Sequence, residues 1–80
     1  MKKVFIDTEF IKLDSLLKFA EIVDSGGFAK LLITEGYVKV NGIVCEQRGK
    51  KIVHDDLIEV SLVYDDGSED IKKIKVLKRG

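Results

Sequence analysis

The 80-residue chain contains no proline, one cysteine (Cys45) and one histidine (His54). A single cysteine excludes an internal disulfide framework and fits a reducing cytoplasm. One Cys and one His cannot supply a nitrogen/sulfur metal site within one chain, so neither metal nor cofactor is expected. No apolar run approaches the ~18 residues of a membrane span, and Met1-Lys2-Lys3 leads into alternation instead of a signal-peptide core. The expectation is a cytoplasmic protein with no membrane partner. An excess of one charge is missing too: 14 Lys+Arg stand against 14 Asp+Glu. That balance removes the simple argument that a very basic protein binds nucleic acid. Proline-rich linkers, repeats and low-complexity tracts are also absent. Eighty residues can close only one core, so 1–80 reads as a single domain.

What is present is 45% hydrophobic and 35% charged, a normal globular mixture. The zero net charge conceals segregation. Seven acids and no base lie between 55 and 70, and five bases and no acid between 72 and 79. Arg48, Lys50 and Lys51 form a third cluster with no acid among them. A field depends on where charges sit on the surface, so a neutral sum does not exclude a basic face.

Lys3-Val4-Phe5-Ile6 predicts a short strand, and Phe10-Ile11-Lys12 a second extended stretch. Leu13, Leu16, Leu17 and Ala20 follow the i, i+3, i+4, i+7 spacing of an amphipathic helix. Phe19, Ile22 and Val23 widen its apolar face, which places its end near Asp24-Ser25-Gly26-Gly27. Ser25 suits the N-cap of a second helix, with Ala29, Leu32 and Ile33 inward and Gly36 closing it in the left-handed conformation. From there the period becomes two: Val38 and Val40 face one way, Tyr37 and Lys39 the other. Asn41-Gly42 is a type I′ hairpin signal. A polar loop over Gln47–Lys51 leads to a strand over Leu57–Tyr64, a turn at Asp65-Asp66-Gly67-Ser68, and a returning strand through Ile71, Ile74, Val76 and Leu77.

Catalytic readings are weak. His54-Asp55-Asp56 suits a solvated turn better than an acid/base relay, because turns collect aspartate and no nucleophile accompanies it. Cys45 reads as a small core hydrophobe. Gly26-Gly27 ahead of a helix lacks the Lys-Ser/Thr of a P-loop, yet Ser25, two glycines and Lys30 can seat a backbone phosphate. A non-enzymatic protein is expected.

A more specific signal spans about fifty residues. It comprises Ile11-Lys12-Leu13-Asp14, Leu17, Ser25-Gly26-Gly27-Phe28-Ala29-Lys30, Gly36-Tyr37-Val38-Lys39-Val40-Asn41-Gly42, Lys50-Lys51 and Asp56-Leu57-Ile58-Glu59-Val60. This series resembles the S-four RNA-binding domain, named after the fourth protein of the small ribosomal subunit. It looks most similar to the short stand-alone bacterial branch of the YaaA/YbcJ type, which carries Ser-Gly-Gly-x-Ala-Lys and an Arg-Gly-x-Lys loop. Lys12 and Gly26 stand where many members have arginine, so point charges replace a forked guanidinium. Asp55 stands where the family usually has glycine.

The resemblance implies an α+β, S-four-like (alpha-L) fold: a helical hairpin on a small, mostly antiparallel sheet, with its core at about 10–60 and an added hairpin over 61–79. It also implies binding of structured RNA, with ribosomal RNA or a ribosome assembly intermediate as the expected target, through phosphate contacts. The candidate RNA-binding residues are Lys12, Ser25, Gly26, Gly27, Lys30, Tyr37, Lys39, Asn41, Arg48, Lys50 and Lys51. Phe5, Phe10, Phe19 and Phe28 read more simply as core. Lys72, Lys73, Lys75, Lys78 and Arg79 either extend the RNA face or solubilise an edge strand. The alternative function is a protein-interaction module docking a protein partner through the C-terminal hairpin, with little RNA affinity. A monomer is expected in either case.

Overall fold

The computed structural model describes residues 1–80. In chain order the elements are β1 (Lys2–Ile6), β2 (Ile11–Lys12), α1 (Leu13–Phe19), α2 (Gly26–Thr34), β3 (Val38–Val40), β4 (Ile43–Val44), β5 (Lys51–Ile52), β6 (Leu57–Val63) and β7 (Glu69–Lys78). Five strands form one sheet in the order β1-β7-β6-β3-β4, and β2 pairs with β5 in a separate ladder. All pairings are antiparallel except β1–β7, which is parallel. The architecture is therefore α+β with a mostly antiparallel sheet, as the sequence predicts.

Alternation along the strands decides which residues face the helices. Val38 and Val40, Ile58 and Val60, Ile74 and Val76, and Val4 and Ile6 bury the same side of the sheet. Leu13, Leu16 and Leu17 of α1 and Ala29, Leu32 and Ile33 of α2, together with Ala20, Val23 and Ile52, complete one cluster of 17 buried residues. Each fully buried Val, Leu or Ile contributes about 1.5–3 kcal/mol, so this cluster carries most of the drive to fold.

Three expectations are corrected. The phenylalanines are not core: exposure runs from 36% at Phe10 to 61% at Phe19. The core is wholly aliphatic, and its small volume is filled by Leu, Ile, Val and Ala without room for a ring. The last strand is not an edge along its whole length: β1 pairs with residues 74–78, where Ile74 and Val76 are completely buried, and only residues 69–73, paired with β6 alone, keep an open side. Discouraging sheet-to-sheet pairing is therefore a use that fits only Lys72 and Lys73, since Lys75 and Lys78 lie where β1 pairs with the strand. Finally, α1 ends at Phe19 instead of near Asp24. Glu21 turns left-handed (φ 60°), and the N–H groups of Ile22 and Val23 both donate to the Leu17 carbonyl. This tight turn still aims Val23 inward, so apolar spacing outlasts the helix.

Local signals are met elsewhere. Ser25 Oγ accepts from the Phe28 N–H at 3.2 Å, capping α2. Asn41 (φ 52°) and Gly42 (φ 84°) supply the two positive-φ residues of the β3–β4 turn. Asp55, at the usual glycine position of the resemblance, indeed adopts φ 73°.

Candidate nucleic-acid interface

The β2–β5 ladder gathers cations that lie far apart in sequence. Lys12 and Lys51 are directly opposed, next to the Ile11–Ile52 pair. The loop before β5 closes over the start of α1: the Leu13 N–H donates to the Lys50 carbonyl at 2.9 Å and the Asp14 N–H to the Arg48 carbonyl at 3.1 Å. Lys12 offers α1 no side-chain cap, so these carbonyls satisfy two of the N–H groups that a helix start leaves open. Anchored by its backbone, the loop leaves the side chains of Arg48, Lys50 and Lys51 exposed beside Lys12. Lys51 Nζ lies 4.9 Å from the centroid of the Phe10 ring. Phe10, read from sequence as core, thus belongs to this cluster as an accessible aromatic face.

A second group forms at the start of α2. The N–H groups of Gly26 and Gly27 precede the first possible intrahelical bond and remain open to an acceptor. Ser25 keeps its hydroxyl proton to donate while its oxygen caps the helix. Lys30 is four residues after Gly26 and so shares its flank. A Cβ on Gly26 would lie 3.9 Å from Lys18 Cδ, which puts the Lys18 stem alongside this helix start. Sequence reasoning missed Lys18. Its i+4 spacing from Asp14 suggests a surface pair, yet the two form no ion pair. The groups sit at the two ends of α1, a seven-residue helix about 10 Å long.

Three candidates stand apart. Lys39 points to the outer face of the sheet, level with Glu59 and Val44. Tyr37 lines an apolar groove with Phe28 and Leu31 and lies among no cations. Asn41 has its amide engaged on both sides: Nδ2 donates to Asp56 Oδ1 at 3.0 Å, and Oδ1 accepts from the Leu57 N–H at 2.9 Å. Its role in the structure is to fix the turn.

Ion pairing separates the two halves of the surface. The four salt bridges are His54–Asp55, Lys72–Asp70, Lys75–Asp55 and Lys78–Glu9. None involves Lys12, Lys18, Lys30, Arg48, Lys50 or Lys51. The cations around α1 are therefore free to meet an external anion, whereas three of the lysines on β7 are already paired. Lys72 shows the effect: its hydrogen bond to Asp70 raises its pKa above the ordinary lysine value.

The pattern of the S4 domain family matches residues 4–76. The chain is also 40% identical over 57 residues, 71% of its length and 80% of the relative's, to a probable ribosome maturation protein RlbA of Bacillus subtilis (strain 168). The match reaches into β1 and β7, the strands that the fold places side by side. With the helix pair, the Val-Lys-Val-Asn-Gly turn and the basic loop all in place, the chain belongs to the S4 domain family.

Proposed function

We propose that this protein binds structured RNA, with ribosomal RNA or a ribosome assembly intermediate as its target, through phosphate contacts at the two ends of α1. The observation that carries this reading is the set of six cations around α1 without a carboxylate partner. Family membership supports RNA as the ligand, and the name of the Bacillus relative supports a place in ribosome maturation. Lys12, Arg48, Lys50 and Lys51 displace counterions from one stretch of backbone, while Ser25, the open N–H groups of Gly26 and Gly27, Lys18 and Lys30 orient a second phosphate. Phe10 offers a face for an unpaired base beside Lys51. Lys39, Tyr37 and Asn41 are left out of this interface.

The test is fluorescence-anisotropy binding to a structured ribosomal RNA fragment over a salt series, with matched duplex DNA as comparison. About four phosphate contacts give a slope of log K against log salt near −3 to −4. Replacing Lys30, Arg48, Lys50 and Lys51 together by alanine, in a protein that still folds, abolishes the binding. Equal weak binding to RNA and DNA, untouched by those substitutions, overturns the reading.

A further inference from the structure

On the other flank of α2 the surface changes character. Phe28, Leu31, Tyr37, Leu62, Val63 and Tyr64 surround an open groove of about 570 Å³ between α2 and the far end of β6. Five of these side chains are 44–61% exposed, a concentration of accessible apolar surface that small soluble proteins usually avoid without a use for it. The one charge in its lining is the Glu35 carboxylate, and Lys72, the lysine beyond Tyr64, is already held by Asp70 at 2.9 Å. Tyr64 runs directly into the Asp65-Asp66 turn, and no lysine or arginine lines the wall.

We propose that this groove docks a protein segment with one apolar face and lysine or arginine at its flanks, as an amphipathic helix laid between α2 and the end of β6. Charge complementarity selects this occupant. An acidic rim repels a nucleic-acid backbone and attracts a basic polypeptide. A second copy, related by a two-fold axis, sets the same acidic rim against itself. Small ligands are usually oriented by several convergent polar groups, and the lining here holds few, while helix-in-groove recognition relies on apolar anchors at successive turns. The two surfaces are compatible: Phe28 and Lys30, two residues apart on α2, point to nearly opposite flanks. The inference therefore does not depend on the RNA reading.

The test uses the free full-length chain labelled with ¹⁵N. It is titrated with an amphipathic helical peptide carrying leucines on one face and lysines on the other, and separately with its glutamate counterpart. The expected result is amide shifts at Leu31, Tyr37, Leu62 and Tyr64 with the lysine peptide only. Leu31→Asp, at a half-exposed position, and Glu35→Lys, at the helix end where a cation is favourable, each weaken that binding about tenfold, or ~1.4 kcal/mol. Equal response to the glutamate peptide, shifts centred on Lys12 and Arg48, or binding indifferent to both substitutions overturns the proposal. So does self-association in sedimentation that Leu31→Asp abolishes, because the occupant is then a second copy.

Discussion

The side-chain amide of Asn41 donates to the carboxylate of Asp56 at 3.0 Å, across 15 residues of chain. Two signature pieces of the family, the Val-x-Val-Asn-Gly turn and the Asp that opens β6, are therefore one structural unit. Asp56 Oδ2 also accepts from the Val53 N–H at 2.9 Å, so the unit reaches back toward β5. Replacing Asn41 by alanine removes two hydrogen bonds and places a Cβ-bearing residue without local polar compensation at φ 52°. The expected loss is on the order of 2–3 kcal/mol in urea unfolding. Because Asp56→Ala breaks the same unit, the double variant loses less than the sum of the two.

Lys12 faces Lys51 in the β2–β5 ladder, and like charges directly opposed weaken a strand pair. Lys12→Glu removes that repulsion and places a carboxylate at the start of α1, where the helix dipole favours it. Stability is expected to rise by about 0.5–1 kcal/mol. RNA affinity is expected to fall on the order of tenfold, with the salt slope shallower by roughly 0.7–0.9 per lost contact. Thermal melting and anisotropy on the same preparation check both signs. A variant that is more stable and binds as before removes Lys12 from the interface.

Ser25 has two separable roles. Ser25→Ala deletes the cap on the Phe28 N–H and is expected to cost about 1 kcal/mol in a melt. Ser25→Asp keeps a good cap but sets a carboxylate where a phosphate is to sit. Its stability stays close to that of the parent protein while RNA binding drops. Unchanged RNA affinity in Ser25→Asp shows that α2 does not face the ligand.

At the β6–β7 turn, Ser68 donates to Asp66 Oδ1 from both its hydroxyl (2.6 Å) and its N–H (2.9 Å). The hydroxyl bond is the main cause that holds the Asp66 carboxyl below the ordinary carboxylate range. A folded-state pKa below the unfolded value means that the unfolded chain binds more protons in that window. The contribution is therefore complete above about pH 5 and disappears as pH falls through about 3.9 and below. Ser68→Ala is expected to destabilise the protein near neutral pH but not once Asp66 is protonated in both states. NMR titration of the Asp66 side chain locates the midpoint, which moves up in the variant.

The sequence was most legible where a single residue type solves a local backbone problem. Ser25 at a helix start, Asn41-Gly42 at positive φ and the inward Val38/Val40 alternation all read directly, because capping and pleating depend on neighbours in the chain. Legibility failed where distant contacts decide. The end of α1 is met by Lys2, whose ammonium donates to the Ala20 carbonyl at 2.8 Å from a strand 18 residues away. The exposed phenylalanines follow from competition for a small core, which Leu, Ile and Val win without leaving any local trace. Of the interface, the cations of the loop were visible as a cluster, but their meeting with Lys12 depends on the β2–β5 ladder. Lys18 and Phe10 gave no signal, since one looks like a surface charge and the other like a core ring.

The parallel β1–β7 pairing also governs how the fold can be reached. Lys2 registers with Ile74 and Ile6 with Lys78, so the first strand has to wait for almost the whole chain before it finds its partner. Closing a loop of that length is an entropic hurdle that local helices and hairpins do not face, and contacts so remote in sequence slow folding. No prolyl isomerisation competes with it, for the chain has no proline. During synthesis, Val4 and Ile6 stay without their sheet until β7 has left the ribosome, while the α1–α2 hairpin and the β3–β4 turn can already form. Pairing of the first strand with the last therefore cannot precede the synthesis of β7.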